Sequence, residues 1–338
     1  MKKFFMCVCM MVVMVAIPLS AFGAPANTVE RTGEGKTVGI ASLHLVNDWN
    51  NFATDELKNY LEARGYKVTH TNAMDSTSQM VKDVENLIEK KVDGIVIAGG
   101  EGHAFMDLSI TAKNAGIKVI GMDMYLPGAS SGVAADNYTG GTMIGQFMVN
   151  KMRGEGKYIV LNSPGWQSLT IRRRMALAVF EDFPGMKLVG EYEVATDPLQ
   201  TSIDAVKAAV QNNPDLKGVL CTWGLPGIGA AQAVQDLGLQ KQIVVVCADS
   251  DREVMEKMSE SDAPMMANIG QDPRINGAYA AEMLDKAINE GDENMPTMYF
   301  APTLMVSNDD YIRDFPEIVR INMADLWDRV YVEYPRTF

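Results

Sequence analysis

The chain has 338 residues, 47% hydrophobic and 22% charged, with a formal net charge of −13. That is a globular composition with the length of two ordinary domains, and its acidity excludes partners that need a positive footprint, nucleic acid and anionic lipid among them. Three histidines and four cysteines leave little room for a zinc cluster.

In chain order, Lys2 and Lys3 precede an apolar run from Phe4 to Leu19, followed by Ser20-Ala21-Phe22-Gly23-Ala24. This is the layout of a secretory signal peptide, residues 1–23, with cleavage after Gly23 or Ala24. A membrane anchor is the rival, but the run is shorter than the ~20 apolar residues of a spanning helix. Cys7 and Cys9 lie too early for lipid modification. The mature chain is expected to be exported to the periplasm. Without the two lysines its charge is −15, and Cys221 and Cys247 remain. Each closes an apolar run; an oxidising compartment permits a bridge, and two buried thiols on neighbouring strands is the preferred reading.

From Lys36, short β-branched runs alternate with helical periods. Strands are predicted over Val38–Leu43, Tyr66–Thr71, Gly94–Ala98 and Lys118–Met122. Helices fall between them over Asp48–Arg64, Ser76–Lys91 and Ala104–Ala115. In the second helix Met80, Val81, Val84, Leu87 and Ile88 share a face, with Ser76 as N-cap. The second half repeats the plan, with strands over Tyr158–Leu161, Lys187–Val194, Gly218–Thr222 and Ile243–Cys247. Its helices are Ser168–Asp182, Thr201–Asn212 and Ile228–Leu237. Near-continuous apolar strands separated by helices imply parallel sheets covered on both faces. Two echoes suggest duplication: the strand opening at Gly65 with that at Gly185, and the strand closing at Asp123 with that at Asp249. The expected class is α/β, with two similar doubly wound lobes.

In open α/β sheets ligands lie beyond the carboxyl ends of the strands. Two facing lobes would therefore make a cleft lined by His44 to Trp49, Gly99 to His103, Asp123-Met124, Trp223 and Asp249-Ser250. Catalytic motifs do not fit. Gly33-Glu34-Gly35-Lys36-Thr37 precedes a strand, where a phosphate loop follows one. Gly99-Gly100-Glu101-Gly102 lacks the third glycine of a dinucleotide fingerprint. The three histidines have no metal-ligand spacing, and a Gly-x-Ser-x-Gly elbow is absent. Strand-end carboxylates such as Asp123 and Asp249 suit vicinal hydroxyls. Trp49, Trp166 and Trp223 suit the apolar faces of sugar rings, with core packing as the alternative for each.

These features resemble the periplasmic sugar-binding proteins of ABC importers, the ribose-binding-like group that shares its fold with LacI-type effector domains. The resemblance covers roughly residues 36–304. Asn47-Asp48-Trp49 stands where the family has its polar-plus-aromatic loop, so Asn47 would bond a hydroxyl and Trp49 would stack on the ring. Asp123 and Asp249 match the family's strand-end aspartates, Ala134 to Asn137 its first crossover, and Gln271 its hinge glutamine. The family's helix arginine falls on Arg172 or Arg173. Two positions depart: Met124 replaces an arginine, and Trp223-Gly224 replaces an Asn-Asp pair. These exchanges imply a ligand less like ribose: a linear polyol, a deoxy sugar or a larger ring with an apolar face.

The resemblance implies an N-terminal lobe of 36–136 plus 272–295 and a C-terminal lobe of 137–271 plus 296–305. Residues 306–338 form an extension expected to pack over the lobes or hinge. It also implies hinge closure on ligand, delivery to an ABC permease in the inner membrane, no cofactor, no metal and no chemistry of its own. A monomer is expected. The alternatives are a periplasmic sensor component of a signalling or chemotaxis system and a carbohydrate-modifying enzyme of the cleft.

Overall fold

The computed structural model describes residues 29–45, 47–249, 251–301 and 303–308. The expected signal peptide and residues 309–338 of the expected extension lie outside these. The first lobe begins with β1 (Thr37–Ser42), α1 (Asp48–Ala63), β2 (Lys67–Asn72), α2 (Thr77–Glu89) and β3 (Gly94–Ala98). A 3-10 turn (Gly102–Phe105) leads into α3 (Met106–Asn114), β4 (Lys118–Met122) and β5 (Ser131–Ala135). The chain then crosses to α4 (Asn137–Met152), β6 (Glu155–Asn162), α5 (Gln167–Glu181), β7 (Gly185–Glu193) and α6 (Pro198–Asn212). The second lobe continues through β8 (Leu216–Cys221), α7 (Gly224–Asp236), β9 (Val244–Ala248), α8 (Arg252–Ser259) and β10 (Met265–Gly270). It returns for α9 (Pro273–Glu290) and β11 (Tyr299–Ala301), and crosses a last time to β12 (Leu304–Ser307).

Two six-stranded sheets result, ordered β11-β5-β4-β3-β1-β2 and β12-β10-β9-β8-β6-β7. The pairings are parallel except β10 with β12. Each sheet buries both faces, as the apolar strands required. In the first lobe Val38, Ile40, Val96 and Ile120 face a cluster with Leu57 of α1 and Leu284 of α9. The alternate residues Ala41, Ile95, Ile97 and Val119 face Met80, Val84 and Leu87 of α2. The second sheet divides likewise between Ile159, Val219 and Val245 on one side and Tyr158, Leu220 and Val246 on the other. Ser76 caps α2 by accepting from the Gln79 amide. Cys221 and Cys247 are free, buried thiols at the ends of the neighbouring strands β8 and β9.

The lobe boundaries differ from the expectation at the last crossing. The resemblance places residues 296–305 in the second lobe, yet β11 pairs with β5 in the first sheet, and the Ser131 hydroxyl donates to the Pro296 carbonyl. The crossing therefore follows Ala301. Residues 306 and 307, assigned to the extension, complete β12 against β10. The predicted elements stop at Ile243–Cys247, so the last helices and strands carry no prediction, and within the predicted stretch β5 and α4 are missing because their sequence signals are poor. β5 (Ser-Gly-Val-Ala-Ala) has a single β-branched residue, and α4 contains Gly140, Gly141 and Gly145, each costing about 1 kcal/mol of helix propensity. Packing explains Gly141: a Cβ there would lie 2.6 Å from the carbonyl oxygen of Arg172. Its missing side chain lets α5 press against α4 at the residue that organises the cleft.

Candidate functional site

Both lobes end a central strand with the same device. Asp123 follows β4 at φ 57° and Asp249 follows β9 at φ 75°, both left-handed. Asp tolerates that region better than most residues, at some cost. The Asp123 amide donates to the Val133 carbonyl at 2.7 Å, and the Asp249 amide to the Ile269 carbonyl at 2.8 Å. The two carboxylates are thus held where their strands meet the cleft.

Arg172, on α5, is 4% exposed and joins four segments. Its Nε donates to Asn137 Oδ1 at 2.7 Å and its Nη1 to the Thr222 carbonyl at 3.1 Å. Nη1 also lies 3.0 Å from Asp249 Oδ1. Gln271, after β10, completes the network. A guanidinium and an indole N–H can only donate, so the glutamine turns its amide oxygen to them. It accepts from Arg172 Nη2 at 2.9 Å and from Trp49 Nε1 at 3.3 Å. Asp123 Oδ2 accepts from the Ser168 hydroxyl at 3.0 Å, a bond between the lobes, while its Oδ1 is buried without a partner among the described residues. Burial pushes the Asp123 carboxyl up to about 7, and the Asp249 charge adds to the rise; Arg172 and the Ser168 hydroxyl oppose it. Burial, with the charges of Asp249, Asp48 and Glu253, also pushes the Asp251 carboxyl up.

The expected site residues therefore separate. Trp49, Arg172, Asp249 and Gln271 form one bonded network with Asp123 beside it. Trp49 is 5% exposed and sits in the first lobe's core cluster, because it lies on the apolar face of α1 with Ala53 and Leu57. Asn47 caps α1, accepting from the Asn50 amide. Trp223 precedes α7 and packs against the second lobe's core, beside the network. Arg173 is one position round the helix from Arg172 and leaves the cleft: it pairs with Glu191 on β7. Consecutive helical residues point about 100° apart, so only one of the two could face inward. Ser250 lies outside the described residues.

The lobes meet across the cleft through the start of α5. The Gln167 amide donates to the Gly100 carbonyl at 3.2 Å, and its Oε1 accepts from the Tyr125 amide. Trp166, expected as a stacking ring, instead packs against the first lobe's core and lies edge-on to His44, centroids 6.0 Å apart. A Cβ on Gly99 would come within 2.6 Å of that indole, and Gly99 has φ +82°. Beside this seam a cavity of about 240 Å³ is lined by Asp123, Met124, Ser168 and Ile171, and by Tyr138, Met298 and Phe300 near the two outer crossings. Motif reasoning missed Ser168, Ile171, Met298 and Phe300, since no spacing in the chain links them.

The periplasmic binding protein domain family matches residues 38–293. The ribose import binding protein of Bacillus subtilis is 25% identical over 259 residues, covering 75% of this chain and 82% of that protein. The xylitol-binding protein of Mycolicibacterium smegmatis is 21% identical over 303 residues, 88% of this chain and 84% of its own. Among solved structures, the 5-methylthioribose transporter solute-binding protein from Thermotoga lettingae superposes with a TM-score of 0.79 at 20% identity. That match covers 90% of this chain and 96% of the other.

Proposed function

The chain belongs to the periplasmic binding protein domain family, and on that premise we propose that it is an exported protein that captures a sugar or polyol between its lobes. It then delivers the ligand, chemically unchanged, to an ABC permease in the inner membrane. The observation that carries this reading is the pair of left-handed strand-end aspartates, one per lobe, of which Asp123 keeps a buried oxygen without a donor among the described residues. A hydroxylated ligand supplies such donors, and in bridging the lobes it favours the closed arrangement over the open one. Relatives that import ribose and bind xylitol support this ligand class. The acidic charge supports the absence of nucleic acid among its partners. A hinge-closing shuttle needs no second copy, so a monomer is part of the proposal.

A thermal-shift screen of the mature protein against pentoses, hexoses, polyols, amino acids and nucleosides tests the reading. A ligand that binds only the folded state raises the melting temperature by mass action. A shift with a sugar or polyol, recovered unaltered after incubation, is the expected result. A shift confined to amino acids or nucleosides would reject the ligand class, and a converted ligand would reject the absence of catalysis.

A further inference from the structure

The cavity beside Asp123 has a chemically mixed lining. Asp123 is 7% exposed, and its Oδ1 is buried without a hydrogen-bond partner among the described residues. Three nearby polar groups are engaged: the Ser168 hydroxyl in Asp123 Oδ2, the Asn137 carbonyl in Arg172, and the Gln167 carbonyl in the Tyr125 amide. The rest of the wall is largely thioether, alkyl and aromatic, from Met124, Ile171, Met298, Tyr138 and Phe300, with the Tyr138 phenol its polar edge. Tyr138 and Phe300 meet edge-to-face with centroids 6.2 Å apart and are half-exposed, so they stand at the mouth. The alkyl and thioether part of this wall gains nothing from a hydroxyl, which would lose its water there without finding a partner. It gains from an alkyl or thioether group, and methionine sulfur and aromatic rings adapt to either.

Size limits what enters. At about 240 Å³ the cavity is smaller than the roughly 300–1,000 Å³ clefts that enclose whole drug-sized ligands. That is room for one small hydroxylated compound. From this juxtaposition we infer that the ligand is a hydroxylated compound with an apolar substituent, one hydroxyl donating to the Asp123 carboxylate and the substituent lying among Met124, Ile171, Met298 and Phe300. The inference rests on the sugar-or-polyol reading and narrows it: a fully hydroxylated pentose is the poorer ligand.

Calorimetric titration of the mature protein with matched pairs tests it. The parents are D-ribose, D-xylose and ribitol. Each partner has one terminal hydroxyl replaced by methylthio or ethyl, or, for the cyclic sugars, the anomeric hydroxyl carried as an ethyl glycoside. At least one substituted compound should bind about tenfold or more tighter than its parent, as expected for one or two extra buried groups. Phe300→Ala, at a residue 45% exposed and so removable without unfolding the lobe, should bring that affinity ratio toward one. Parents that bind as tightly as every substituted partner would overturn the apolar subsite while leaving the sugar-or-polyol reading intact. A preference that persists unchanged in Phe300→Ala would also overturn it, by placing the substituent elsewhere. Failure of both series to bind would remove the underlying reading and the inference with it.

Discussion

Asp123→Asn should remove the Asp123 share of the neutral-range pH dependence in the stability of the unliganded protein. In the folded chain burial pushes this carboxyl up to about 7, against about 3.9 in an unfolded chain. Between those values the folded protein holds a proton that the unfolded chain has released. Unfolding then releases a proton, and stability falls as pH rises. The protonated form's contribution is complete below about pH 4 and is lost as pH passes about 7. Three pK units at about 1.4 kcal/mol each amount to about 4 kcal/mol, of which about 3 kcal/mol lies between pH 5 and 8. Asparagine has nearly the same shape, retains an acceptor for Ser168 and does not titrate. Urea unfolding of both proteins across that range should show the variant gaining on the wild type as pH rises. Asp251 titrates in both proteins and drops out of the difference. Parallel stability curves would refute the argument that burial outweighs Arg172 at this carboxyl. Binding supplies a second readout: a ligand hydroxyl donating to the ionised carboxylate favours the charged form, so association near neutral pH should release a proton to the buffer.

Other expectations follow from the same geometry. Arg172→Met leaves Asp249 and two carbonyl acceptors buried without their cation and should cost about 3–5 kcal/mol in urea unfolding. Arg173→Ala breaks a part-exposed pair with Glu191 and should cost less than about 1 kcal/mol; equal losses would contradict the distinct placement of the two arginines. Gly99→Ala puts a Cβ at φ +82° against the Trp166 ring. At about 1–2 kcal/mol for the left-handed backbone alone, it should weaken ligand binding about tenfold and enlarge the radius of gyration in small-angle scattering. Unchanged scattering would mean that the lobes close without the indole seated there. Cys221 and Cys247 are buried, and burial pushes both thiols up, so a thiol reagent should leave the native mature protein unlabelled and modify both after unfolding.

Much of the architecture was written in local pattern. Apolar runs such as Gly94–Ala98 and Lys118–Met122 coincide with β3 and β4 because a strand buried on both faces must be apolar throughout. The strand-end position of Asp123 and Asp249, and hence a cleft at the carboxyl ends of two lobes, follows from that same periodicity. Where glycine and alanine predominate, in β5 and α4, local pattern is silent. Those elements form because close packing of α5 on Gly141 outweighs a poor propensity, and that gain exists only once distant segments are brought together. The same reason governs the cleft. Residue identity marked Arg172 and Arg173 alike, and the rotation of α5 against α4 decided that Arg172 turns inward. Trp166 carries the same ring whether it stacks on a ligand or seals the lobes, and the space above Gly99 determined which. The sequence by itself determined two α/β lobes and their strand-end acceptors, since these depend on near neighbours. Tertiary structure alone decided where the chain last crosses, which arginine is buried and what lines the cavity, since those depend on groups up to 177 positions apart, as Asp123 and Phe300 are.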